Sequence, residues 1–120
     1  MDAAELRSAL QFFTGTATYY EHWTKLIVYT DGVRYLAHAA KAFWLLDAIA
    51  LAQPRATRDR WLREFQLWEL FTRADHSATL ICSRDSDAEA FRRKIGFTDF
   101  PLDYVRLYVE GDVLLLPTEH

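Results

Sequence analysis

Four carboxylates could carry acid–base chemistry in this chain, Asp47, Glu69, Asp99 and Asp103, provided that a fold drew two of them into one cleft. Their spacing gives no reason for them to converge. Asp47 stands apart as a lone charge inside the apolar run 43–52. A buried carboxylate needs a partner, and Arg34 and Arg106 are the candidates to supply one. The plainer reading is a paired core acid or one on a thin exposed stripe. Metal chemistry finds no footing. His22, His38, His76 and His120 lack close ligand spacing, the single cysteine has no partner, and neither HExxH nor CxxC occurs. Cys82 sits in the apolar stretch 79–82 and reads as a small core hydrophobe rather than a reactive thiol. Ser77 and Ser83 lack a nucleophile elbow. Gly15, Gly32, Gly96 and Gly111 are isolated, so each fits a turn and none builds a phosphate cradle. No metal and no cofactor are expected.

Binding chemistry is better represented. Tyr19, Tyr20, His22, Trp23, Tyr29, Tyr35 and Trp44 form an aromatic-rich set with Lys25 and Arg34 interleaved. Tyr104, Arg106 and Tyr108 alternate, so they share one face of a strand while Val105, Leu107 and Val109 take the other. Outward Tyr and Arg supply contact area and directional hydrogen bonds at a protein interface. The same types suit base stacking and phosphate pairing in a nucleotide pocket. Ordinary cross-strand aromatic pairing is the bland alternative. Residues 55–63 hold four Arg, one Asp and no Lys. They read as a solvated connection, with a phosphate or acidic-patch contact as the functional alternative.

The elements that must position these residues follow from periodicity. Residues 2–13 read as a short amphipathic helix with Leu6, Ala9, Leu10 and Phe13 on one face. Residues 17–29 read as one or two strands interrupted near 23–25. Thr30 or Asp31 caps the next helix, whose stripe is Val33, Leu36, Ala37 and Ala40. The run 43–52 is apolar nearly all round and therefore central. Residues 31–53 fit one bent helix or two short ones, and Pro54 closes the region. Residues 65–71, 78–83 and 90–97 read as an antiparallel meander, with turns at 75–76 and 85–87. Residues 105–109 and 113–116 read as a hairpin around Glu110-Gly111-Asp112. The expected class is α+β: a five- or six-stranded antiparallel sheet packed against two or three helices, in one domain over residues 1–120. Residues 113–116 are apolar on both faces, so a helix or another subunit should cover them. A dimer is narrowly favoured on that ground.

Composition bounds the rest. A chain of 120 residues fits one domain. With 51% apolar and 15% aromatic residues, it can build a core without staples. The net charge of −3 argues against indiscriminate nucleic-acid binding. The single cysteine excludes an intramolecular disulfide and suits a reducing compartment. No apolar run reaches the roughly 18 residues of a membrane span, and the acidic N-terminus lacks a leader pattern. A cytoplasmic location is expected.

Several motifs in order resemble those of a known family: Phe13-Thr14-Gly15-Thr16, Tyr29-Thr30-Asp31-Gly32-Val33, Tyr35-Leu36-Ala37, 43–49, 97–102 and 114–119. The chain from about residue 12 to the C-terminus is similar to small bacterial proteins catalogued as a domain of unknown function, common on phages, plasmids and other mobile elements. The resemblance implies an accessory role inside the bacterial host cell and names no catalytic residues. It points to counter-defence by non-catalytic binding, foremost as an anti-CRISPR-type inhibitor of a host effector complex. Its interface candidates are the acidic turns, Asp85, Asp87, Glu89, Asp99 and Asp103, which can mimic phosphates. The runner-up is a sponge for a nucleotide second messenger, with Trp23, Arg34, Tyr35, Tyr104 and Arg106 as pocket candidates. A third class is a small hydrolase using Asp47 or Asp99 with a histidine.

Overall fold

The computed structural model describes residues 2–85 and 88–120. Asp87, one of the acidic-turn candidates, lies outside them. Among the described residues, seven strands form one sheet in the order β1-β2-β7-β6-β3-β4-β5. They are β1 Tyr19–Glu21, β2 Val28–Thr30, β3 Phe65–Thr72, β4 Ala78–Ser83, β5 Glu89–Ile95, β6 Tyr104–Glu110 and β7 Val113–Leu115. The helices are α1 Ala3–Leu10, α2 Asp31–Ala39, α3 Phe43–Leu51, and the short α4 Gln53–Ala56 and α5 Arg60–Glu64.

The α+β class holds. The expected five or six strands and two or three helices are both too few, and the sheet is not wholly antiparallel, because β2 pairs with β7 in parallel. Residues 17–29 contain two strands of three residues each, too short to print a period of two. Residues 55–63 are not a plain connection. They enter α4 and most of α5, with Asp59 capping α5 through the N–H of Trp61. Pro54 lies in the first turn of α4, where its missing N–H costs nothing. Residues 31–53 break because Lys41 takes a left-handed backbone, φ 52°, which ends α2 and lets α3 start afresh.

Alternation sorts the sheet into two faces. Val105, Leu107 and Val109 of β6 are buried toward the helices, while Tyr104, Arg106 and Tyr108 stand half-buried on the opposite face. That face is helix-free in that it carries none of α1–α5, and His120, after the 3-10 turn Pro117–Glu119, packs there on Tyr108. The helix side holds Leu36 and Ala37 of α2, Leu45, Leu46 and Ile49 of α3, and Trp68, Leu80 and Leu114 of the strands. A satisfied polar knot lies within this core. Gln53 and Gln66 exchange both side-chain amide bonds, at 2.9 and 2.8 Å. Gln66 Oε1 also accepts from the Trp68 indole. The apolar C-terminal strand needs no second subunit for cover: Leu115, on the helix-free face opposite Tyr108, is 6% exposed within one chain.

The chain end is tied to the start of α2. Glu119 accepts the Thr30 hydroxyl at 2.6 Å, the Leu116 N–H at 3.0 Å and the Gly32 N–H at 3.3 Å. The Thr30 hydroxyl in turn accepts the Val33 N–H as N-cap. A carboxylate here meets the positive end of the helix. Gly32 is required for its closeness, since a Cβ there would lie 2.6 Å from Glu119 Oε1 and 2.7 Å from Leu116 Cδ1. Gly32→Ala gains ~0.5–1 kcal/mol of helix propensity but overpacks this contact, which costs ~1–3 kcal/mol. We predict net destabilisation in urea denaturation, relieved in the Gly32→Ala/Glu119→Ala double variant. Equal losses in both backgrounds would refute the contact.

Candidate functional site

α3 presents Trp44, Ala48 and Leu51 at helical spacing toward β5. Between them lies a cleft of about 880 Å³, closed on its far side by Ile95 of β5 and by Phe97, Phe100 and Pro101 of residues 96–101. Lys41 and Arg93 bring positive charge to it, and Asp47 and Asp99 bring negative charge. A second groove of about 330 Å³ continues along β5 and shares Ala48, Leu51 and Arg93 with the first. The lips are apolar and open: Leu51 is 57% and Phe97 66% exposed.

Asp47 is held in place on this cleft. His22 Nε2 and the Trp23 indole N–H both reach its Oδ1, at 2.7 and 2.9 Å. His22 is buried, 4% exposed, while Trp23 beside it is 70% exposed. The Thr24 N–H points at His22 Nδ1 at 3.2 Å, and the Thr24 hydroxyl lies 2.8 Å from the same atom. Nδ1 therefore carries the lone pair, and Nε2 carries the proton that it donates to Asp47. Both imidazole nitrogens are thus committed to the protein. The half-buried Asp47 lines the cleft and keeps Oδ2 without a protein hydrogen bond among the described residues.

The order hydroxyl, imidazole, carboxylate is that of an acyl-transfer triad. Here, however, the Thr24 hydroxyl also accepts the Leu26 N–H at 3.2 Å, and its N–H and O–H both close on one ring nitrogen. That is a turn fixing its own histidine. Asp47 thereby gains two neutral N–H donors, a geometry that builds a fixed acceptor.

The partner of Asp47 is accordingly neither Arg34 nor Arg106. Arg34 stacks over Tyr20, 4.6 Å from the ring centroid, and donates to its hydroxyl. Arg106 donates to the Tyr104 hydroxyl at 3.1 Å, and that hydroxyl donates to Glu69. Burial and this bond to Glu69 hold the Tyr104 phenol above its ordinary pKa. The five sponge candidates do not share one pocket. Tyr104 and Arg106 project from the helix-free face, Trp23 stands by Asp47, Arg34 by Tyr20, and Tyr35 packs on Phe13 at 5.2 Å. Of the acidic-turn candidates, Asp99 lines the cleft, Glu89 pairs with Arg92, Asp103 with Arg7, and Asp85 is exposed after β4. Both acids considered for a hydrolase have a histidine close by, since His76 Nδ1 lies 3.9 Å from Asp99. Among the described residues, no group of three or more His, Cys, Asp or Glu could hold a metal ion.

His22 is the site residue that sequence reasoning missed. Arg34 and Arg106 were the named partners of Asp47, and the hydrolase alternative paired it with a histidine without saying which. The usable signal was a His-Trp pair, two N–H donors, at the break between two strands.

A family model covers residues 4–120 of this chain, described as a family of unknown function, DUF6876. The chain belongs to that family. No curated protein and no solved structure matches it. Among the described residues no helix is long and apolar enough to cross a membrane. The matched residues take in every element of the fold except Ala3, the first residue of α1.

Cys82 lies on β4 beneath the α3–β5 groove and is fully buried. Burial pushes its thiol up to about 12, so the thiolate is scarce at neutral pH. We predict that the folded protein resists a disulfide exchange reagent at pH 8 and reacts fully in denaturant. Rapid labelling of the native state would contradict this burial.

Proposed function

We propose that this protein works by non-catalytic binding of another protein, and that the cleft between α3 and residues 95–101 is its contact surface. The observation that carries the reading is the cleft's construction. Exposed Leu51 and Phe97 border an opening in which Asp47 is pinned as an acceptor by His22 and Trp23, and Lys41, Arg93 and Asp99 add charges of both signs. Large apolar residues beside oriented polar groups are what a protein interface uses. A small domain has no folding reason to leave them open.

The partner we propose is a host defence protein, foremost an effector complex of the CRISPR type. That part rests on the resemblance to proteins of phages, plasmids and other mobile elements. Asp99 is the member of the acidic set that fits this surface. A nucleotide sponge draws less support, because the Arg106 guanidinium is already engaged by Tyr104 and lies 3.9 Å from Glu69, a carboxylate that would repel a phosphate.

The test is affinity capture from host cells expressing the tagged protein, followed by native mass spectrometry. We expect a stoichiometric protein partner with the wild type. Ala48→Arg, which fills the cleft, should lower capture at least tenfold. Asp47→Ala should lower it several-fold, and Arg106→Ala should leave it unchanged. A co-purifying nucleotide lost on Arg106→Ala would overturn the reading in favour of the sponge. Covalent labelling of Thr24 by a fluorophosphonate would overturn it in favour of a hydrolase.

A further inference from the structure

We propose that β5 is a docking edge, to which an extended acidic segment of a partner protein adds as an eighth strand. Every second side chain of that segment would enter the groove beneath α3. The inference deepens the protein-binding reading and rests on it.

β5 ends the sheet and has a neighbour, β4, on one side only. Among the described residues, residues 89–95 make no backbone hydrogen bond beyond that ladder. Alternate N–H and C=O groups along seven residues therefore point outward, the arrangement that accepts an added strand. The opposite edge, β1, offers three residues. Natural edges this long are usually guarded, and β5 is guarded by charge: Arg92, Arg93 and Lys94 are consecutive. An antiparallel copy of β5 centred on Arg92 would set Arg92 opposite Arg92 and Phe91 opposite Arg93. Like charges opposed across a ladder are destabilising. That register of a second copy is disfavoured, and the three consecutive cations match a strand of opposite sign.

The two faces specify the pattern of that strand. Arg92 pairs with Ile81 and Lys94 with Thr79, on the helix-free face. Phe91, Arg93 and Ile95 pair with Cys82, Leu80 and Ala78, on the helix side. The two grooves lie side by side on that side. Residues of a strand that share a face are spaced by roughly 6.6 Å, so alternating apolar side chains can follow the grooves while acidic ones face Lys94 and take the place of Glu89 on Arg92. A single-stranded nucleic acid could also use the cations. It has no use for the apolar lips of Leu51 and Phe97.

The test uses the full chain and fluorescein-labelled synthetic peptides of alternating acidic and apolar residues, read by fluorescence anisotropy. In one peptide the amides of one set of alternate residues are N-methylated, and in a second peptide the other set. We expect one methylated register to bind at least tenfold more weakly than the other, which should bind like the parent. Arg92→Glu/Lys94→Glu, checked for folding by circular dichroism, should weaken binding at least tenfold, and a basic–apolar peptide should not bind. The edge proposal is overturned if both registers bind equally, if no acidic peptide binds, or if oligothymidylate binds in place of the peptide. The two readings separate cleanly. Peptide binding that is lost in Ala48→Arg but indifferent to N-methylation removes the edge and keeps the cleft. Register-sensitive binding that persists in Ala48→Arg supports the edge and removes the cleft.

Discussion

The helices are too few and too short to cover the sheet. Seven strands at ~4.8 Å spacing span roughly 29 Å, whereas one helix with its side chains is ~10 Å wide. α2 lies over β2 and β7, and α3 reaches Trp68 and Leu80 in the centre. Nothing helical is left for β5. Its helix-side residues Phe91 and Ile95 stay half-buried, and the space between them and α3 becomes the cleft. Both the contact surface and the open edge follow from this one shortfall.

A cleft left by missing cover would collapse or aggregate unless its walls were fixed. The α3 wall is fixed from both ends. His22 and Trp23 fasten Asp47 to the turn between β1 and β2, and Gln53 ties the following helix to Gln66 of β3. Losing either set of partners strands buried polar groups, at ~1–3 kcal/mol each. The Glu119 tie holds α2, and with it the approach to α3, against the C-terminal strand. The cleft is therefore preorganised, which lowers the entropic cost of binding.

Much of this was legible in the residues. The alternation of Tyr104, Arg106 and Tyr108 against Val105, Leu107 and Val109 predicted both faces of β6. Thr30 was one of two cap candidates, with Asp31, named from residue type, and the break near 23–25 was visible between two aromatic runs. β1 and β2 fall within the stretch read as one or two strands, whereas α4 and α5 escaped because four or five residues cannot express a helical period. The parallel pairing of β2 with β7 escaped because it is set by where the last hairpin lands, a long-range choice. The site was half legible. Asp47 was conspicuous as a charge on an apolar helix, but its partner lies 25 residues away and is neutral. The cleft itself cannot be read from any local pattern, since it is an absence of cover between elements far apart in the chain.

The most direct test of the contact surface is site-specific photo-crosslinking in host cells, with benzoylphenylalanine in place of Phe97 at the cleft or of Tyr108 on the helix-free face. If the cleft is the contact surface, position 97 gives one discrete protein adduct, abolished by Ala48→Arg, and position 108 gives none. An adduct from position 108 alone, or one from position 97 that survives Ala48→Arg, would contradict it.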